Sequence, residues 1–156
     1  AISSAGGHWV QLQRMRAAWD GCEVSYVTSK LEYKADILRD ARRRGENAPR
    51  FFTILAANRW QKFRLVWQLL NIFAILLWVR PDLVISTGAA SGYFALRLGK
   101  LLGARTIWVD SIANADEMSL SGKKIGPYAD LWLTQWEHLA RGEHGAKVPD
   151  FKGAVI

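Results

Sequence analysis

Two short runs of small residues stand where a strand should hand over to a helix: Ser3-Ser4-Ala5-Gly6-Gly7-His8 and Ser86-Thr87-Gly88-Ala89-Ala90-Ser91-Gly92. Such a turn leaves backbone N–H groups unpaired at a helix N-terminus, where a phosphate or diphosphate is held well. Ala1-Ile2 precedes the first run and the apolar Leu83-Val84-Ile85 precedes the second. Either run alone is also compatible with a tight connection. Together, at the carboxyl ends of strands in one parallel sheet, they point to a single crevice. His8 closes the first run. A histidine can take a proton from a sugar hydroxyl near neutral pH, although one at a helix start can equally be structural. Asp110 follows the apolar Thr106 to Val109 and falls on the same sheet edge. It is the acidic candidate, with capping of a turn as the plainer alternative.

Other chemistries are excluded by spacing. The first run lacks the G-x-G-x-x-G pattern of a dinucleotide site. The next apolar run ends in Thr28-Ser29-Lys30, without the acidic residue that holds a ribose. There is no Walker lysine. His8, His138 and His144 are too scattered for a metal site, and no Cys/His cluster has zinc spacing. Neither a metal nor a cofactor is expected.

These residues need a scaffold, and 156 residues, half of them hydrophobic, suffice for one domain with a real core. Apolar runs alternate with helical patterns, which predicts an α/β fold with a parallel, Rossmann-like sheet and flanking helices. Strands are expected ending near Ser3 and over Val24–Thr28, Phe51–Leu55, Leu83–Ser86, Thr106–Val109 and Leu131–Thr134. Helices are expected over Trp9–Trp19, Leu31–Arg44, Gln61–Val79 and Ser91–Leu102, with a short one within Leu120–Ala129. A last apolar element is expected at Gly153–Ile156. The strand ending near Ser3 is short, so the chain is expected to be trimmed at its N-terminus.

The Gln61–Val79 segment is apolar from Leu65 onward except for Gln68 and Asn71. The apolar stretch Leu65–Val79, roughly fifteen residues, falls short of the ~20 needed to span a bilayer. Its flanks are basic and aromatic: Arg59, Trp60, Lys62 and Arg64 before, Trp78 and Arg80 after. Two readings stand: a helix buried against the sheet, or an interfacial helix with Trp60, Trp67, Trp78 and Arg64 in membrane contact. The net charge of +7 favours anionic partners. Arg39, Arg42, Arg43, Arg44 and Arg50 form a basic cluster in an expected loop region, either a solvated face or a lipid-facing one. No recognition motif for nucleic acid accompanies the charge. The single cysteine, Cys22, fits a reducing compartment.

Several pieces fall in an order that resembles one family. They are Ser3-Ser4-Ala5-Gly6-Gly7-His8, Ser86-Thr87-Gly88, Gly99-Lys100-Leu101-Leu102-Gly103-Ala104, Asp110-Ser111-Ile112-Ala113, Leu120-Ser121-Gly122-Lys123, Ala129-Asp130-Leu131 and Gln135-Trp136. The order resembles the Alg14 family, which includes the bacterial PssD-like proteins of polysaccharide biosynthesis. The resemblance implies a single acceptor-binding domain over residues 1–156, corresponding to the N-terminal half of a GT-B glycosyltransferase. A separate Alg13- or PssE-like subunit would bind the nucleotide sugar. The acceptor would be a polyprenyl diphosphate-linked sugar at the cytoplasmic face of a membrane, the bacterial inner membrane in this case. MurG-like transferases have a comparable loop ending in histidine. By that likeness, Ser4, Gly6, Gly7, Thr87, Gly88, Ala89, Ser91, Ser111 and Asn114 would surround the acceptor diphosphate. His8, or else Asp110, would act as base in an inverting transfer.

The sequence departs from the family at Asp110, where many members have Glu, and at Asn114, where many have Arg. Eukaryotic-type members also carry an N-terminal membrane helix, so anchoring here is expected to fall to the Gln61–Val79 segment and the basic residues. Two other functions stay open: a non-catalytic membrane scaffold for a catalytic partner, and a stand-alone domain binding a phosphorylated ligand.

Overall fold

The computed structural model describes residues 1–57, 60–141 and 147–155. Arg59, His144 and Ile156, named above, lie outside the described residues. Among the described residues six strands form the sheet: β1 (Ser25–Thr28), β2 (Arg50–Thr53), β3 (Leu83–Ser86), β4 (Arg105–Val109), β5 (Leu131–Thr134) and β6 (Asp150–Phe151). All their pairings are parallel. Ile2 joins the two halves, pairing with both Val27 and Ser86. Its N–H donates to the Ile85 carbonyl at 2.9 Å, and the Ser3 N–H donates to the Val27 carbonyl at 3.1 Å. The order is therefore β2-β1-Ile2-β3-β4-β5-β6. The chain winds outward from Ile2 in one direction and then, after β2, returns to build in the other. The reversal lies between Ile2 and β3, where an open α/β sheet leaves a crevice at its carboxyl edge.

The helices are α1 (Gly7–Arg14), α2 (Tyr33–Arg43), α3 (Lys62–Val79), α4 (Ala89–Leu101) and α5 (Leu120–Ile125). Alternation along the strands feeds two cores. On one face Trp9, Leu12, Tyr26, Ile37, Ile85 and Val109 pack together. On the other, Val27, Val84 and Trp108 meet Ile72 and Leu76 of α3, Ala95 and Leu96 of α4, and Ile125 of α5. Adjacent residues such as Val84 and Ile85 serve opposite cores, as a doubly covered sheet requires.

Several expectations need correction. The Trp9–Trp19 helix begins earlier and stops at Arg14; a 3-10 turn, Arg16–Trp19, follows. The change comes where the Met15 N–H reaches the Leu12 carbonyl, three residues back rather than four. Val24 stays outside β1, and β2 begins at Arg50 and ends at Thr53, two residues short of Leu55. Among the described residues the last element is β6 at Asp150–Phe151, ahead of the expected Gly153–Ile156, whose final residue lies outside them. Gly153, at φ 103°, cannot continue the strand geometry, and the Val155 N–H bonds the Gln135 side-chain oxygen instead.

The basic cluster is also different from expectation. Arg39, Arg42 and Arg43 belong to α2, and Arg50 to β2. Arg39 pairs with Asp36 at 3.2 Å and Arg50 with Glu23 at 2.8 Å. Arg44 joins Arg16 in a network with Asp20, Asp40 and Glu46 that fastens α2 to the 3-10 turn. Three of the five arginines are thus engaged with carboxylates of the chain itself.

Candidate functional site

The two small-residue runs meet at the reversal point. Gly88 has φ 145° and ψ −173°, a conformation essentially restricted to glycine. A side chain there would also collide with His8: an added Cβ would lie 2.5 Å from the imidazole Cε1 and 2.6 Å from Nδ1. The imidazole therefore rests directly on the Gly88 backbone. The Thr87 hydroxyl donates to the His8 carbonyl at 2.7 Å and ties the runs together a second time. Ala89, the first residue of α4, is held at φ 66°. For a residue with a Cβ this costs roughly 1–2 kcal/mol, and such strain collects at functional loops.

α1 and α4 begin on either side of this contact. Neither Gly6 nor Gly88, their respective N-caps, supplies a side-chain cap. The first-turn N–H groups of each helix therefore lack an intrahelical acceptor. The loop donors upstream are occupied: the Ala5 N–H bonds Ser29 Oγ and the Gly6 N–H bonds Tyr33 Oη, both at 3.3 Å. Tyr33 in turn stacks on Trp9, with ring centroids 5.1 Å apart and planes 5° from parallel. The N–H groups without an acceptor inside their own helix are thus those of the first turns, not those of the whole first run. Ser91 Oγ and His8 Nδ1 are buried here without a hydrogen-bond partner, and Ser4 is half-buried in the loop. Close approach of α4 to β3 needs Gly92, since an added Cβ would fall 2.0 Å from Ser86 Oγ.

Asp110 sits at the end of β4, 2% exposed. Trp108 Nε1 donates to Oδ1 at 3.0 Å and the Ser119 hydroxyl at 2.5 Å. The Ser119 N–H donates to Oδ2 at 2.8 Å and Asn114 Nδ2 at 3.2 Å. All four donors belong to the Asp110–Ser119 segment or the strand before it, and none comes from His8. The carboxylate folds its own loop. Ser111 and Asn114 serve the same end: Ser111 Oγ accepts from the Ala113 N–H at 3.3 Å, and the Asn114 N–H bonds the Ser111 carbonyl at 3.0 Å. Sequence reasoning missed Gln11, Ser119 and Gln135, whose side chains bind this loop. The signal for Gln11 was its place one turn after His8. Among the described residues no three of His, Cys, Asp and Glu converge as a metal site.

α3 packs against α4 in the core on the other face of the sheet. Its buried line is Gln68, Ile72 and Leu76, with Gln68 Nε2 donating to the Leu55 carbonyl at 2.7 Å. The opposite side carries Phe63, Val66, Trp67, Leu70, Phe73, Ala74, Leu77 and Trp78, all exposed. Wound at 3.6 residues per turn, these eight form one arc without a polar residue. Phe63 is 94% and Trp78 71% exposed. Trp60 is exposed just before the helix, and Arg64 on its flank. The segment has mean hydropathy 1.5 and is, by length and composition, the one described helix apolar enough to cross a membrane.

Comparison with known proteins gives the family and the fold. The chain is 27% identical over 138 residues to UDP-N-acetylglucosamine transferase subunit alg14 of Schizosaccharomyces pombe, covering 83% of this chain and 66% of that protein. It is 34% identical over 67 residues to the subunit of the same name from Yarrowia lipolytica, covering 39% of this chain and 31% of that one. The chain thus spans less than two thirds of the length of these curated relatives. Among solved structures, Acinetobacter baumannii MurG superposes with a TM-score of 0.68 at 13% identity, over 96% of this chain and 44% of MurG. That likeness shows the fold, which is the Rossmann-like α/β arrangement expected. The model of the family described as "Oligosaccharide biosynthesis protein Alg14 like" matches residues 28–149, and the chain belongs to that family.

Proposed function

We propose that this chain is the acceptor-binding subunit of a two-component glycosyltransferase. It moves a sugar from a nucleotide sugar, UDP-linked by analogy with the relatives' names, to a polyprenyl diphosphate-linked acceptor. The observation that carries the reading is the convergence of two uncapped helix N-termini on one histidine at the reversal point of the sheet. Helix N-termini favour a diphosphate through unpaired N–H groups and the helix dipole. A bound acceptor then presents its sugar hydroxyl near His8, which takes the proton as the oxygen attacks the anomeric carbon of the donor. The donor and the charge developing on its leaving nucleoside diphosphate are handled by an Alg13- or PssE-like partner. Asp110 holds the loop beside the site rather than reacting.

The apolar arc of α3 supports the membrane part of the reading. α3 is pinned to the domain along Gln68, Ile72 and Leu76, so it lies in the interface, its outer face among lipid, instead of spanning the bilayer. The cytoplasmic face of the membrane is the natural location.

The test is sugar transfer to a polyprenyl diphosphate-linked acceptor, using membranes that contain this chain with and without the small partner. Transfer is expected to need both chains and to fall by at least ~100-fold in His8→Ala, the scale of a lost general base. Transfer that needs both chains but ignores His8 would make this chain a scaffold. Absence of transfer with every nucleotide sugar would leave a phospho-ligand-binding domain.

A further inference from the structure

We infer that Gln11 is a positioning residue that sets the helix carrying His8 against the Asp110–Asn114 loop; the inference rests on the transferase reading of the site. Gln11 lies one turn after His8 on α1, so the two side chains leave the same face of the helix. It is 4% exposed. Both ends of its amide are used across the sheet edge. Nε2 donates to the Asp110 carbonyl at 3.0 Å, and Oε1 accepts from the Ile112 N–H at 3.3 Å.

The two bonds are not equivalent. The Asp110 carbonyl also accepts from Gln135 Nε2 at 2.9 Å, so it keeps a partner if Gln11 is lost. Among the described residues, Gln11 Oε1 is the acceptor the structure gives the Ile112 N–H. Removing Gln11 therefore takes the acceptor from the Ile112 N–H and frees one side of α1, while Gln135 still holds the Asp110 carbonyl and Trp136 Nε1 still holds the Ile112 carbonyl at 2.9 Å. α1 is only eight residues long, with Trp9 and Leu12 buried and the Thr87 hydroxyl on the His8 carbonyl as its other ties. Gln11 is the tie that leaves α1 on the face His8 shares, so its removal shifts the imidazole more directly than loss of the Trp9 and Leu12 packing on the rest of the helix.

Two variants separate positioning from simple folding. Gln11→Met keeps length and volume but loses both bonds. Gln11→Glu places a carboxylate against the Asp110 carbonyl at neutral pH. When protonated, it donates to that carbonyl and accepts from Ile112, restoring the pair. In the two-subunit transfer assay, well below each variant's melting temperature, Gln11→Met is expected to lose ~10-fold or more in kcat with a smaller change in acceptor KM, as for a reacting group slightly misplaced. Gln11→Glu is expected to gain on the wild type as pH falls.

A folded Gln11→Met with wild-type kcat overturns the inference. So does a Gln11→Glu pH profile that merely parallels the wild type. If the wild type itself transfers nothing, the proposed function fails. The positional claim is then read from the His8 ring resonances in NMR: a shift in Gln11→Met supports it, and unmoved signals overturn it.

Discussion

Gly88→Ala tests the contact on which the site depends. A Cβ at Gly88 would stand 2.5 Å from His8 Cε1, whereas ordinary van der Waals contact begins near 3.4 Å, so the imidazole must retreat by about 1 Å. Displacement of a reacting group by 1 Å can cost on the order of 100-fold in rate. The backbone strains as well, because φ 145° is a glycine conformation; that costs roughly 1–3 kcal/mol, or several degrees at about 2–4 °C per kcal/mol for a chain of this size. Gly103→Ala is the matched control. Gly103 also has positive φ, 91°, but an added Cβ meets nothing within 4 Å. The control should lose about 1 kcal/mol by thermal melting and keep its transfer rate. Gly88→Ala should lose both stability and transfer, the latter by ~100-fold at a temperature where it is folded. Equal rates in the two variants would refute the argument that Gly88 exists to seat the imidazole.

Two further outcomes follow from the geometry. Replacing Phe63, Trp67 and Leu70 together with serine should leave the melting temperature nearly unchanged, since exposed positions contribute little to folding. The triple variant should sediment with anionic phospholipid vesicles at least ~100-fold more weakly, because each such side chain is worth roughly 1.5–3 kcal/mol when fully taken out of water; equal vesicle binding would remove α3 from the membrane. Asp110→Asn turns one of two fully used acceptor oxygens into a donor facing N–H or O–H groups. It should destabilise by roughly 2–3 kcal/mol, seen as a lower melting temperature. A folded variant with normal stability but abolished transfer would instead return Asp110 to the chemistry.

The alternation of strands and helices was legible in the amino-acid order, because periods of two and 3.6 follow from local backbone geometry. So were the two glycine-containing runs and the position of His8. Both runs needed a strand before and a helix after, and each local pattern carries that information. The packing of the imidazole on Gly88 was not legible. It joins residues 80 apart in sequence, and only the reversal between Ile2 and β3 makes them neighbours.

Asp110 shows the same divide from the other side. Its place at a strand end follows from the apolar run before it, but its role depends on where Trp108, Asn114 and Ser119 direct their donors. α3 makes the sharpest case. An 18-residue apolar segment suits a buried helix and an interfacial one equally, since hydropathy does not say what stands beside it. The sequence by itself determined that α3 is apolar nearly all round. The tertiary structure decided that the sheet and α4 have room for one side only, which leaves eight apolar residues facing outward.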